Sequence, residues 1–112
     1  MLDWNNYRTE LMQRVGDYAT LSPDTVKGYQ ALAGAATKPG RLDGKTAELI
    51  SLAVAVTTRC DGCIAIHAQR ALQQGVTQEE LADALSVAIA MNAGAAMVYT
   101  ARALDAITAT KA

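Results

Sequence analysis

The apolar positions of this chain recur at helical spacing almost from end to end, and no stretch follows the two-residue alternation of a half-buried strand. Residues 3 to about 18 predict a first helix, with Trp4, Tyr7, Leu11, Val15 and Tyr18 at helical spacing and Gly16 weakening its end. Ser22-Pro23-Asp24 is a start signal. Serine serves as N-cap, proline takes the first helical position, where its missing N–H is no loss, and aspartate suits the positive end of the dipole. The second helix carries Val26, Tyr29, Leu32 and Ala33 and fades before the breaker cluster Lys38-Pro39-Gly40. The segment before Pro39 is a candidate arm over the core.

Asp43 is the expected N-cap of a third helix, roughly 44 to 58. Its run Leu49-Ile50-Ser51-Leu52-Ala53-Val54-Ala55-Val56 is apolar on every face, which predicts burial on all sides. The valines suit a strand as well, but the length and the preceding cap favour helix. After a break at Thr58-Arg59-Cys60-Asp61-Gly62, a fourth helix spans about 61 to 74 and is closed by Gly75. Thr77-Gln78-Glu79-Glu80 is a capping box for a fifth helix, whose apolar face includes Leu81, Leu85 and Ile89. Asn92-Ala93-Gly94 predicts a kink or short break before a last helix to about Ala109. The expected fold is all-α, a single domain over residues 1–112.

Composition adds a constraint on packing. Hydrophobic residues make up 51% of the 112, but aromatics only 4% with no Phe, and alanine is roughly one residue in five, well above ordinary usage. Small side chains let helices approach closely, yet each buries little area, so part of the stability is expected from a homo-oligomeric interface. Net charge is −1 with both signs interspersed, and no Lys/Arg cluster suits a phosphate backbone, so nucleic acid is not an expected partner. The N-terminal MLDWNNYRTE lacks a basic-then-apolar signal pattern, and no apolar run reaches membrane-spanning length without interruption. A cytoplasmic protein with no membrane partner is the resulting expectation. In a reducing compartment two close cysteines read as redox-active or metal-bound rather than as a permanent staple.

The chemistry concentrates between Glu48 and His67. Both cysteines and the sole histidine fall within eight residues, and Glu48 lies twelve residues before Cys60. A Cys-x-x-Cys pair at a helix start has a physical rationale: unpaired N–H groups and the helix dipole favour the thiolate, the form that attacks peroxides and disulfides. Two intervening residues let the sulfurs meet, so one can attack and the other resolve. His67, four residues after Cys63, shares its helical face and can hold or receive the Cys63 proton. Glu48 can orient that imidazole if the third helix packs on the fourth; otherwise its place near a helix start serves the dipole alone. Zinc would need Glu48 as a fourth ligand beside Cys60, Cys63 and His67, with no second Cys/His pair to complete a structural site, so no metal is expected. Haem attachment is excluded because the histidine does not follow the second cysteine directly. No cofactor is expected.

The pattern Glu48-(eleven residues)-Cys60-x-x-Cys63-(three residues)-His67 resembles the carboxymuconolactone decarboxylase superfamily, within it the alkylhydroperoxidase D-like branch. The resemblance covers about Leu42 to Ile107, including Gly75-Val76-Thr77-Gln78-Glu79-Glu80-Leu81 and Met91-Asn92-Ala93-Gly94. It implies an all-helical fold built around a helical hairpin and assembled as trimers or hexamers. It also implies a redox relay. Glu48 and His67 assist deprotonation of Cys63, which reacts with a hydroperoxide, and Cys60 resolves the sulfenic acid to a disulfide that an external thiol reduces. Alkylhydroperoxidase D itself is longer and carries a histidine between its cysteines where this chain has Asp61-Gly62, and the Asp61 carboxylate opposes thiolate formation.

The first expected function is therefore a thiol-dependent peroxidase or disulfide reductase, with a hydroperoxide or small disulfide as substrate and a thiol reductant as partner. The second is a decarboxylase acting on a small carboxylated lactone through His67 and a cationic carboxylate holder, Arg59 or Arg70. The third is a non-catalytic module whose function is helix packing and oligomerisation.

Overall fold

The computed structural model describes residues 1–38 and 40–111, which form five helices and, among the described residues, no strand. They are α1 (Trp4–Leu21), α2 (Pro23–Thr37), α3 (Gly44–Thr58), α4 (Asp61–Gln73) and α5 (Gln78–Lys111). The fold class is all-α. Pro39, the middle of the expected breaker cluster, lies outside the described residues.

Local capping chemistry places most of the boundaries. Asp3 Oδ1 accepts from Asn6 N at 3.1 Å to start α1, and Asp43 Oδ1 accepts from Thr46 N at 2.7 Å to start α3. The Thr77–Glu80 capping box opens α5: Glu80 N donates to Thr77 Oγ1 and Thr77 N to Glu80 Oε1, each at 3.1 Å. Glu80 Oε1 also receives Lys45 Nζ at 3.1 Å, tying the start of α5 to the first turn of α3. Ser22 behaves differently from expectation. Its side chain makes no cap bond to the backbone and pairs instead with Thr25 Oγ1 at 2.8 Å, while Pro23 takes the first helical position.

Helix α3 packs against α4 and α5, and α1 packs against α4 and α2. The buried apolar cluster is small: Leu52, Ala71 and Val76, with Leu49 and Leu81 packed against it. Three expectations change. Helix α1 continues through Gly16 to Leu21, because one interior glycine costs about 1 kcal/mol, too little by itself to end a helix, and Arg14 pairs with Asp17 at 2.8 Å across it. Helix α5 is one 34-residue helix with no break at Asn92. The Asn92 amide bonds back to Ala88 O at 2.7 Å and across to Thr57 Oγ1 on α3 at 3.0 Å, and alanines flank Gly94. Uninterrupted, α5 is long and apolar enough to cross a bilayer by length and composition.

The third change concerns α3. Only Glu48, Leu52 and Ala55 are buried, while Ile50, Val54 and Val56 are exposed, so the helix is covered on one stripe and not all round. Ile50 and Val54 face Val87 and Met91 of α5 across an open groove of about 350 Å³. The radius of gyration is 18.5 Å, against about 13 Å for a compact chain of this length. The chain is extended, with apolar faces that its own elements leave uncovered.

Candidate functional site

The site begins at the turn between α3 and α4. Cys60 N donates to Ala55 O at 3.0 Å and Arg59 N to Val56 O at 3.3 Å, with Arg59 in the left-handed conformation (φ 55°, ψ 48°). These paired bonds are the Schellman ending of a helix. They reverse the chain within two residues and deliver Cys60 as the N-cap of α4. The Cys60 sulfur stands where a capping oxygen would, accepting from Cys63 N at 3.1 Å. Cys60 and Cys63 are joined as a disulfide, their Cα atoms 5.2 Å apart. Both are half-buried, so exposure does not rank one above the other.

Glu48 and His67 meet across the α3–α4 hairpin. His67 Nδ1 lies 2.7 Å from Glu48 Oε2, with Glu48 7% exposed and the His67 ring half-buried. Glu48 shares a stripe with Leu52 and Ala55, spaced four and three residues apart, so the packing of that stripe on α4 carries the carboxylate inward. A carboxylate can only accept, so in the neutral ring Nδ1 carries the proton and Nε2 is left as the basic nitrogen. His67 follows Cys63 by one turn of α4, on the same helical face.

Two residues of α1 also reach this region, and nothing in the motif announced them. Arg8 Nε donates to Ala65 O in α4 at 2.8 Å. Leu11 packs on Gly62, between the cysteines, so closely that a Cβ there would sit 2.7 Å from Leu11 Cδ2. The available signal was the half-buried stripe Trp4, Tyr7, Leu11 with Arg8 beside it, which identified a packing face but not its target. Arg59, Asp61 and Arg70 are exposed. Among the described residues no group of three or more His, Cys, Asp or Glu side chains is arranged to hold a metal ion.

The all-helical fold, with Glu48, the Cys60–Cys63 pair and His67 carried on one hairpin, defines a class of protein. Residues 23–106 match the model of the carboxymuconolactone decarboxylase family, and the chain belongs to that family. It is 46% identical over 110 residues to an uncharacterized protein of Haemophilus influenzae, covering 98% of this chain and 97% of that one. A carboxymuconolactone decarboxylase family protein from Legionella pneumophila, solved in its apo form, superposes with a TM-score of 0.76 at 36% identity over 91% of each chain. A protein from Methanobacterium thermoautotrophicum gives 0.70 at 37% identity, over 78% of this chain and 97% of its own.

Proposed function

We propose that this protein is a thiol-dependent peroxidase or disulfide reductase working through Cys63, Cys60, His67 and Glu48. The observation that carries the reading is the 2.7 Å bond between Glu48 Oε2 and His67 Nδ1, which leaves Nε2 as the basic nitrogen one turn from Cys63.

His67 takes the Cys63 thiol proton, directly or through a water. The thiolate attacks the terminal oxygen of a hydroperoxide, the O–O bond breaks, and the departing alkoxide takes a proton to leave as an alcohol. Cys63 is now a sulfenic acid. The Cys60 sulfur attacks it, hydroxide leaves as water with the proton Cys60 gives up, and the Cys60–Cys63 disulfide remains. Two external thiols return the pair to the dithiol and depart as their own disulfide. With a small disulfide as substrate, the same thiolate attacks sulfur instead of oxygen. A compartment that supplies thiol reductant, the cytoplasm, suits this cycle.

The test is mass-resolved thiol trapping after peroxide, on the wild type and on each Cys→Ser variant. The reduced wild type is expected to consume one hydroperoxide and lose both thiols together. Cys60→Ser is expected to stop at an oxidised Cys63, and Cys63→Ser to stay unreacted. Unchanged thiol counts after excess peroxide sink the reading. Conversion of a carboxylated lactone that survives replacement of both cysteines would establish the decarboxylase instead.

A further inference from the structure

The turns that end α3 and α4 are the same hydrogen-bonded motif, built on different residues at the left-handed position. The second uses Gly75 (φ 78°), with Val76 N to Ala71 O and Gly75 N to Leu72 O both at 3.0 Å. The first uses Arg59 (φ 55°), the only described residue other than glycine with positive φ. Glycine holds this conformation without a Cβ penalty and arginine does not, so backbone geometry does not account for the arginine.

Its surroundings suggest what does. Arg59 is exposed and, among the described residues, forms neither an ion pair nor a side-chain hydrogen bond; Arg41 and Arg70 share that freedom, and Arg59 is the one of the three next to a cysteine. It directly precedes Cys60, and neighbouring Cα atoms are about 3.8 Å apart, so the side chain starts beside the disulfide and its charge stays within reach of it. On the other side of Cys60, Asp61 presents an exposed carboxylate in the first turn of α4. Charge is therefore divided about Cys60, positive where the chain leaves α3 and negative where it enters α4.

The geometry points to Arg59 as the residue that guides an anionic thiol reductant onto the Cys60 sulfur, a reading that rests on the thiol–disulfide chemistry proposed above. The incoming thiolate forms a bond to Cys60 Sγ as the Cys60–Cys63 bond breaks. The electron pair leaves on Cys63, whose thiolate takes a proton from the His67 side. A second thiolate then attacks the external sulfur of the mixed disulfide and frees Cys60. The substrate class is a small thiol with a carboxylate or other anion beside its sulfur.

The experiment uses the full-length oxidised protein at low ionic strength. Its disulfide is reduced by 3-mercaptopropionate, 2-mercaptoethanol or cysteamine (anionic, neutral and cationic), and reactions are quenched for mass-resolved trapping. The ratio of variant to wild-type rate for each thiol cancels that thiol's own reactivity. Arg59→Gly is expected to slow the anionic thiol about two- to three-fold, Arg59→Glu to slow it about five-fold, and the cationic thiol to change oppositely, as charges about 8 Å apart in water dictate. Asp61→Asn is expected to speed the anionic thiol, 2-mercaptoethanol to be indifferent throughout, and about 0.5 M salt to collapse the differences.

The trapped mixed disulfide is expected on Cys60. Equal rate changes for all three thiols, a mixed disulfide on Cys63, or a disulfide inert to all three would each overturn the proposal. If Arg59 serves only the dipole at the end of α3, its replacement moves thermal stability and leaves the thiol ratios alone. Peroxide consumption is read separately, so charge-ordered reduction without peroxide turnover removes the peroxidase reading and leaves this one standing.

Discussion

Glu48 and His67, nineteen residues apart in the chain, meet at 2.7 Å across the α3–α4 hairpin. The bond holds the imidazole by one nitrogen and leaves the other for chemistry, which makes it the part of the site most exposed to test. His67→Asn is expected to slow peroxide-driven disulfide formation about a hundred-fold, the lower end of what a positioned general base contributes. Glu48→Gln keeps the shape and most of the packing, so its effect on rate should be smaller while the thermal melt stays close to wild type. Stopped-flow oxidation of the reduced protein reads both. A full rate in His67→Asn removes the histidine from the mechanism.

Leu11 on α1 fills the space above Gly62. Gly62→Ala therefore drives a methyl into Leu11 Cδ2, which must leave its rotamer, and the clash is expected to cancel the gain of about 1 kcal/mol that alanine otherwise brings to a helix over glycine. Adding Leu11→Ala to that background should restore part of that gain in urea melts, although Leu11→Ala alone is destabilising. Additive effects of the two substitutions would mean that α1 does not rest on the cysteine pair.

Gly75 closes α4 with φ 78°. Gly75→Ala introduces a Cβ into the left-handed conformation, and a loss of about 1 kcal/mol is expected from denaturant titration. Apart from its chain neighbours, no atom of the described residues lies within 4 Å of that Cβ, so the effect isolates backbone conformation from packing.

Acid should loosen two helix starts before it touches the core. Asp43 titrates below its usual range because the Thr46 side chain and backbone hydrogen-bond it, and Glu80 does so because the Thr77 backbone and Lys45 bond it. A carboxyl whose folded pKa is depressed stabilises the fold above its unfolded value and loses that contribution as pH falls through the folded one. The decline is therefore expected below about pH 4. Thermal melts between pH 6 and about pH 3 should fall less steeply for Asp43→Asn, which keeps an accepting oxygen and does not titrate as an acid.

The accessible surface is 8751 Å², about 2,800 Å² more than a compact monomer of 11.8 kDa should expose. A stable interface takes about 800 Å² from each partner. The exposed apolar residues Met97, Val98, Leu104 and Ile107 lie on the C-terminal half of α5, where no described residue is buried. We expect sedimentation in detergent-free buffer to give more than one chain per particle, and Met97→Glu with Leu104→Glu to reduce that number. A chain that needs detergent to stay in solution would assign α5 to a bilayer instead.

Much of the architecture was legible in the sequence because its signals act over one turn. The Asp43 cap, the Thr77–Glu80 capping box and the Gly75 closure each depend on residues three to five positions apart. The Cys60-x-x-Cys63 pair with His67 one turn on was legible for the same reason. Where local reading failed, it gave too much weight to single residues. Gly16 and Gly94 each cost a helix about 1 kcal/mol, too little to break it alone, and around Gly94 the flanking alanines and the Asn92 side-chain bonds outweigh that cost.

The sequence by itself determined that the chain is helical, from the spacing of its apolar positions and its caps, and that its thiols and its histidine lie along one helix, since on a 3.6-residue period Cys60, Cys63 and His67 fall on one face. Only the tertiary structure decided that Glu48 turns toward His67 rather than serving its own helix dipole. It also decided that Leu11 covers Gly62 and that one face of α3 stays open. These contacts join positions on separate helices, and the angle and depth at which helices pack are fixed by side chains distant in sequence, which no local pattern records.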